Sequence, residues 1–148
     1  NAEAKIVSHN LLNSDLRQVD LDPIPHAVFT NPQIASVGYT QQDLNEMNIP
    51  YVTATEQYSD VAYGWAMEET TGFCKIIAEP ASGLILGAHI IGPQSSTLIH
   101  QLIQGMKFKR TVLELAQSFL YIHPALSEVV ENALIKVSEK CEIELSRL

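Results

Sequence analysis

Basic residues are scarce in this chain: nine Lys and Arg stand against 17 Asp and Glu, leaving a formal net charge of −8. Binding to nucleic acid needs clustered cations facing phosphates, so the balance argues against that class of partner. The one local group of bases, Lys107, Lys109 and Arg110, falls at the end of a predicted helix, where it complements the negative end of the helix dipole. Cysteine is scarcer still. Cys74 and Cys141 are far apart, with no C-x-x-C and no ligand spacing, which argues against a zinc site, any other metal site and a local redox disulfide. Cys74, in an apolar strand, reads as a small core residue, and Cys141, in a polar tail, as an exposed thiol. Both are expected to be plain thiols in a reducing compartment. No apolar run approaches the length of a membrane span, and no signal-peptide pattern precedes the first periodic segment, so the expectation is a soluble, cytoplasmic protein. Internal repeats and low-complexity segments are also missing. The chain opens Asn1-Ala2-Glu3 without a methionine, which reads either as processing or as a piece of something longer.

What is present is enough apolar material for one core: 46% of the 148 residues are hydrophobic, a size suited to one domain rather than two. Residues 1 to about 12 read as the end of a helix leading in from another domain, and residues 1–21 as lead-in and linker. Asp22-Pro23-Ile24-Pro25 stops any helix. Two extended stretches follow, Ala27 to Thr30 and Ile34 to Gly38, broken at Asn31-Pro32. Thr40 with Asp43 resembles a capping box for a short helix to about Met47. Residues 51–58 alternate as a strand does, and Gly72 to Ala78 with Leu84 to Ile91 read as an antiparallel hairpin across Pro80-Ala81-Ser82-Gly83. Gly92-Pro93 ends it, and Leu98, Ile99, Leu102, Ile103 and Met106 make one apolar stripe on a helix from about Ser95 to Lys107. Thr111 and Glu114 open another short helix to about Gln117. Residues 59–67 fit neither period and read as a loop, packed against a partner or buried locally. Strands first and helices afterwards predict an α+β domain, an antiparallel sheet with helices packed on one face.

The run His123-Pro124-Ala125-Leu126-Ser127-Glu128 carries the chemistry. It places an imidazole and a carboxylate five residues apart across a helix start, with Ser127 as the expected N-cap of a helix through Val129, Val130, Ala133, Leu134 and Val137. A carboxylate on one ring nitrogen fixes the tautomer and favours the imidazolium, which leaves the other nitrogen to give or take a proton. The plain alternative is that Glu128 and Glu131 only stabilise the helix dipole, by about 0.3 to 1 kcal/mol each. His9, His26, His89 and His100 have no companion at ligand spacing and are weaker candidates.

Three segments in order, Val28-Phe29-Thr30-Asn31-Pro32-Gln33-Ile34-Ala35-Ser36-Val37-Gly38, Gly87-Ala88-His89-Ile90-Ile91-Gly92, and His123-Pro124 with Glu128, resemble the C-terminal dimerisation domain of the pyridine nucleotide-disulfide oxidoreductases. The resemblance covers residues 22–138, with 139–148 as a tail. Asp60 to Glu68 and Ile122 to Leu134 are similar to the branch that reduces the disulfide of mycothiol. Dihydrolipoamide dehydrogenase and the mercuric-reductase-like members are the alternatives, and a non-catalytic homodimerisation module is the alternative of another class. The tail Lys140-Cys141-Glu142-Ile143-Glu144 matches neither the cysteine pair of the mercuric reductases nor the redox motif of the large thioredoxin reductases.

The resemblance implies a homodimer, a small-molecule disulfide substrate, and FAD and NAD(P)H as cofactors. These would be bound by upstream domains of the same polypeptide, because the glycine-rich fingerprints and the spaced cysteine pair are missing here. An isolated fragment would then be inactive and bind neither cofactor. By the same carry-over His123 is the acid/base that serves the partner subunit's active site and Glu128 orients it. The His123-Pro124 bond is implied to be cis, near the partner's FAD.

Overall fold

A computed structural model describes residues 1–142. The chain runs α1 (Ala2–Leu12), β1 (His26–Val28), β2 (Ile34–Gly38), α2 (Gln41–Met47), β3 (Val52–Gln57), α3 (Ala62–Ala66), β4 (Phe73–Ala78), β5 (Ile85–Ile91), α4 (Ser95–Lys107), α5 (Val112–Gln117) and α6 (Ser127–Ser138). The five strands form one antiparallel sheet in the order β1-β2-β5-β4-β3. The β4–β5 hairpin expected from alternation lies at its centre, with Cys74 opposite Ile90 and Ile76 opposite Ala88.

Side chains alternate across a strand, so register decides which residues meet the helices. Ala35, Val37, Ala54, Cys74, Ile76, Ala88 and Ile90 line one face and share a core with Leu98, Ile99 and Leu102 of α4 and Val129, Val130, Ala133, Leu134 and Val137 of α6. Helix α4 lies on β5 and β2, α6 lies on β3 and β4, and α5 packs against α6. The three later helices thus cover one face, as expected. Short α2 lies on the other: Gln41 Oε1 accepts from Lys75 Nζ at 3.1 Å, and Lys75 neighbours His89 on that face.

Both capping boxes form. Thr40 Oγ1 accepts from Asp43 N–H while the Asp43 carboxylate accepts from Thr40 N–H, and Thr111 and Glu114 do the same for α5. Each box satisfies two of the otherwise orphaned donors at a helix start. Helix α1 buries no residue.

Three local expectations need correction. Residues 59–67 are not a loop: a single 3₁₀ turn at Tyr58–Asp60 runs into α3. Its periodicity was hidden because only Val61 and Gly64 turn inward. Gly64 is required there, since a Cβ would lie 1.9 Å from the Tyr58 carbonyl oxygen. Trp65 stays 74% exposed. Cys141 is not an exposed thiol; it packs against the core edge, with its Sγ 3.4 Å from the Val137 carbonyl, and burial pushes it up from the ordinary thiol pKa. Of the C-terminal segment 139–148, residues 143–148 lie outside the described residues. The third correction, at the start of α6, belongs to the site.

Candidate active site

The backbone leading to His123 is held by its neighbours. Tyr121 donates its hydroxyl to the Leu115 carbonyl at 3.1 Å, and the Phe119 and Tyr121 rings lie 4.8 Å apart between centroids. Between and after them Leu120 and Ile122 project outward, almost uncovered. The His123-Pro124 peptide is cis, as the resemblance implied. Pro124 is exposed beside the histidine.

Ser127 does not cap α6. Leu126 is already in the right-handed helical region, and no side-chain cap is made by it. Glu128 instead closes the turn onto Ala125: its Oε2 accepts from the Ala125 N–H at 2.9 Å, as a residue three positions into a helix does for the N-cap N–H, so the turn begins ahead of Ser127. The other oxygen, Oε1, lies 2.7 Å from His123 Nδ1. A carboxylate only accepts, so Nδ1 is the donor and Nε2 is left free. The pair is asymmetric in exposure: the His123 side chain is 71% exposed and that of Glu128 only 16%. A largely covered carboxylate, fixed by a backbone N–H, holds a ring that is open on its far side.

Electrostatics agree with this division. The hydrogen bond from His123, helped by the Ala125 N–H, holds the Glu128 carboxyl below the usual carboxylate range against an opposing desolvation cost. Glu131, next along α6, is pushed the other way, chiefly by burial and then by Glu128. A carboxyl whose folded pKa is depressed contributes stability above its unfolded value, and that contribution is lost as pH falls through the folded one. Wild type and Glu128→Gln should therefore differ in thermal midpoint near neutrality and converge on acidification. A gap that stays constant down to strongly acid pH would contradict the assigned linkage.

The remaining histidines lie elsewhere and in different settings. His26 Nε2 is 3.0 Å from Ser36 Oγ, and His89 Nε2 is 3.1 Å from the Tyr39 carbonyl, with burial pushing its pKa down. His9 is tied to the Asp15 carbonyl, and His100 is exposed on α4. Among the described residues, no cluster of three or more His, Cys, Asp and Glu could hold a metal, and no helix is long and apolar enough to cross a membrane. The buried Cys74 thiol is pushed far up, mainly by desolvation, which fits a packing residue rather than a nucleophile.

One polar group that patterning did not single out is Glu56, on β3 but facing the helices. Its side chain is 3% exposed, its Oε1 accepts from Asn132 Nδ2 at 3.2 Å, and its Oε2 is ion-paired with Lys136 Nζ. The alternation of residues 51–58 does put Glu56 on the face of Ala54, and that was the available signal.

Residues 24–134 match the family model described as "Pyridine nucleotide-disulphide oxidoreductase, dimerisation domain". The chain is 49% identical over 140 residues to mycothione reductase of Mycobacterium tuberculosis, covering 91% of this chain and 30% of that protein. It is 36% identical over 117 residues to dihydrolipoyl dehydrogenase of Corynebacterium glutamicum, covering 78% of this chain and 25% of that one. The crystal structure of LpdA from Mycobacterium tuberculosis superposes with a TM-score of 0.80 at 27% identity, over 90% of this chain and 29% of the other. The chain thus spans between a quarter and a third of the length of these relatives. With the fold, the matched residues and the sequence identity in agreement, this chain belongs to the pyridine nucleotide-disulfide oxidoreductases and contains their dimerisation domain.

Proposed function

We propose that this chain is the C-terminal part of an FAD-dependent, NAD(P)H-using disulfide reductase, residues 1–21 joining upstream domains to a dimerisation domain at 22–138, with a tail at 139–148. In this reading the protein is a cytoplasmic homodimer, and each subunit supplies His123 and Glu128 to the active site of its partner. The observation that carries it is the 2.7 Å His123–Glu128 contact with the ring 71% exposed. A histidine oriented from behind and open in front completes a site whose other components lie on another surface.

The chemistry required of this chain is proton transfer. Bound flavin would relay electrons from NAD(P)H to a cysteine pair of the upstream domain. The residues here fit the edge of such a site: His123 and Pro124 are both exposed, and Nε2 is free to face a bound group. When a thiolate of the cysteine pair attacks the substrate disulfide, the sulfur–sulfur bond breaks and the departing sulfur takes the electron pair. Protonated His123 then delivers the Nε2 proton to that sulfur, because a protonated thiolate leaves faster. Glu128 stays ionised, holds Nδ1–H and stabilises the imidazolium before transfer.

The substrate proposed is the disulfide of mycothiol, supported by the 49% identity to mycothione reductase. The similarity to dihydrolipoyl dehydrogenase makes lipoamide the alternative. NAD(P)H oxidation by the full-length protein, with mycothiol disulfide and with lipoamide side by side, tests the choice. Faster turnover of mycothiol disulfide is expected, preference for lipoamide would reassign the substrate, and turnover of neither would remove the enzymatic reading.

A further inference from the structure

We infer that Glu56 is a positioning residue for the proton-transfer pair, acting through α6; the inference rests on the acid/base reading of His123 just proposed. Glu128, Asn132 and Lys136 stand at i, i+4 and i+8 on α6 and so share one stripe of that helix. The first turn of the stripe holds His123 and the Ala125 N–H. The next two turns hold the two oxygens of a single buried carboxylate on β3. His123 is thereby tied to the sheet through a line of polar contacts running along one helix.

The rest of the α6 interface cannot provide that precision. Val129, Val130, Ala133, Leu134 and Val137 are all buried, but apolar burial is roughly proportional to area and has no direction. A slip of α6 by one residue would move it about 1.5 Å and turn it about 100°, which Glu56 resists because Asn132 and Lys136 would both lose it. Polar contacts in a core cost desolvation, and their best-attested use is to specify register. Glu56 fits that use: it is the one charged side chain in the buried core of the described residues. No aligned hydrogen-bond donor reaches Oε2 beyond the charge of Lys136, so the contact with Lys136 is chiefly electrostatic and Asn132 supplies the directional bond.

Full-length protein carrying Glu56→Met, Glu56→Gln or Asn132→Leu provides the test, with His123→Ala and Glu128→Gln as references. Displacement of a catalytic group by an ångström can cost up to about a hundredfold in rate, so Glu56→Met is expected to lower kcat for disulfide reduction by about tenfold. Flavin reduction by NAD(P)H should be unchanged. The histidine-dependent limb of the pH–rate profile should move in the same direction as in Glu128→Gln, which a merely structural loss would not produce. Glu56→Gln, which keeps the Asn132 bond, should recover most of the rate. If Glu56→Met does not fold, Asn132→Leu, which removes the directional bond from a half-buried position, carries the same pH readout. A folded variant with normal kcat and an unmoved limb would overturn the inference. Unaltered disulfide turnover in His123→Ala would instead overturn the acid/base reading, whatever Glu56 does.

Discussion

His123→Ala in the full-length protein is expected to lower disulfide turnover by about 10²- to 10⁴-fold, the usual scale of a general acid/base, while NAD(P)H still reduces the flavin at the wild-type rate. The two half-reactions separate because only one of them expels a sulfur leaving group. Nε2 is the atom free to serve that group, since Nδ1 is engaged by Glu128. Rapid-mixing measurement of flavin reduction beside steady-state disulfide turnover distinguishes the outcomes. Equal loss in both would mean that the ring supports the flavin site in general and not the departing thiolate. No loss in either would leave the domain a homodimerisation module. Because His123 is 71% exposed, its removal leaves no cavity in the core, and a folding defect is not a competing explanation.

The second large effect is on stability. Leu134→Ala should destabilise the fold by about 2 to 5 kcal/mol, as large-to-small changes at buried leucines do. Leu134 is 1% exposed and is among the residues that α6 buries where it packs on β3, β4 and α5. Its truncation removes apolar contacts on the helix that carries Glu128. Ile135, the next residue, is 38% exposed and its truncation should cost about 0.5 kcal/mol or less. Urea unfolding followed by circular dichroism compares the two; similar costs would mean that α6 is rotated from the orientation described. The polar clamp at Glu56 and the apolar contacts at Leu134 are separable in this way, one affecting chiefly the pH profile and the other chiefly the midpoint.

Local chemistry explains what could be read without coordinates. The boxes at Thr40 and Thr111 are sealed by residues three positions away, and the β4–β5 pair closes across a short turn. Ser127 misled because serine is a good cap in isolation, whereas here Glu128 reaches back to the Ala125 N–H and the helical turn starts earlier. Segment 59–67 misled because a helix of five residues that buries only Gly64 shows no stripe, and Cys141 because its polar neighbours say nothing of the core edge against which it folds.

The sequence by itself determined the elements other than α3, the apolar faces and the His123–Glu128 pair, since each depends on residues within a turn or a hairpin of one another. Only the tertiary structure decided the strand order β1-β2-β5-β4-β3, the seat of α2 on the opposite face, and the grip of Asn132 and Lys136 on Glu56. Those contacts join segments far apart along the chain. Periodicity reports which face of an element is apolar but carries no record of which distant element will cover it.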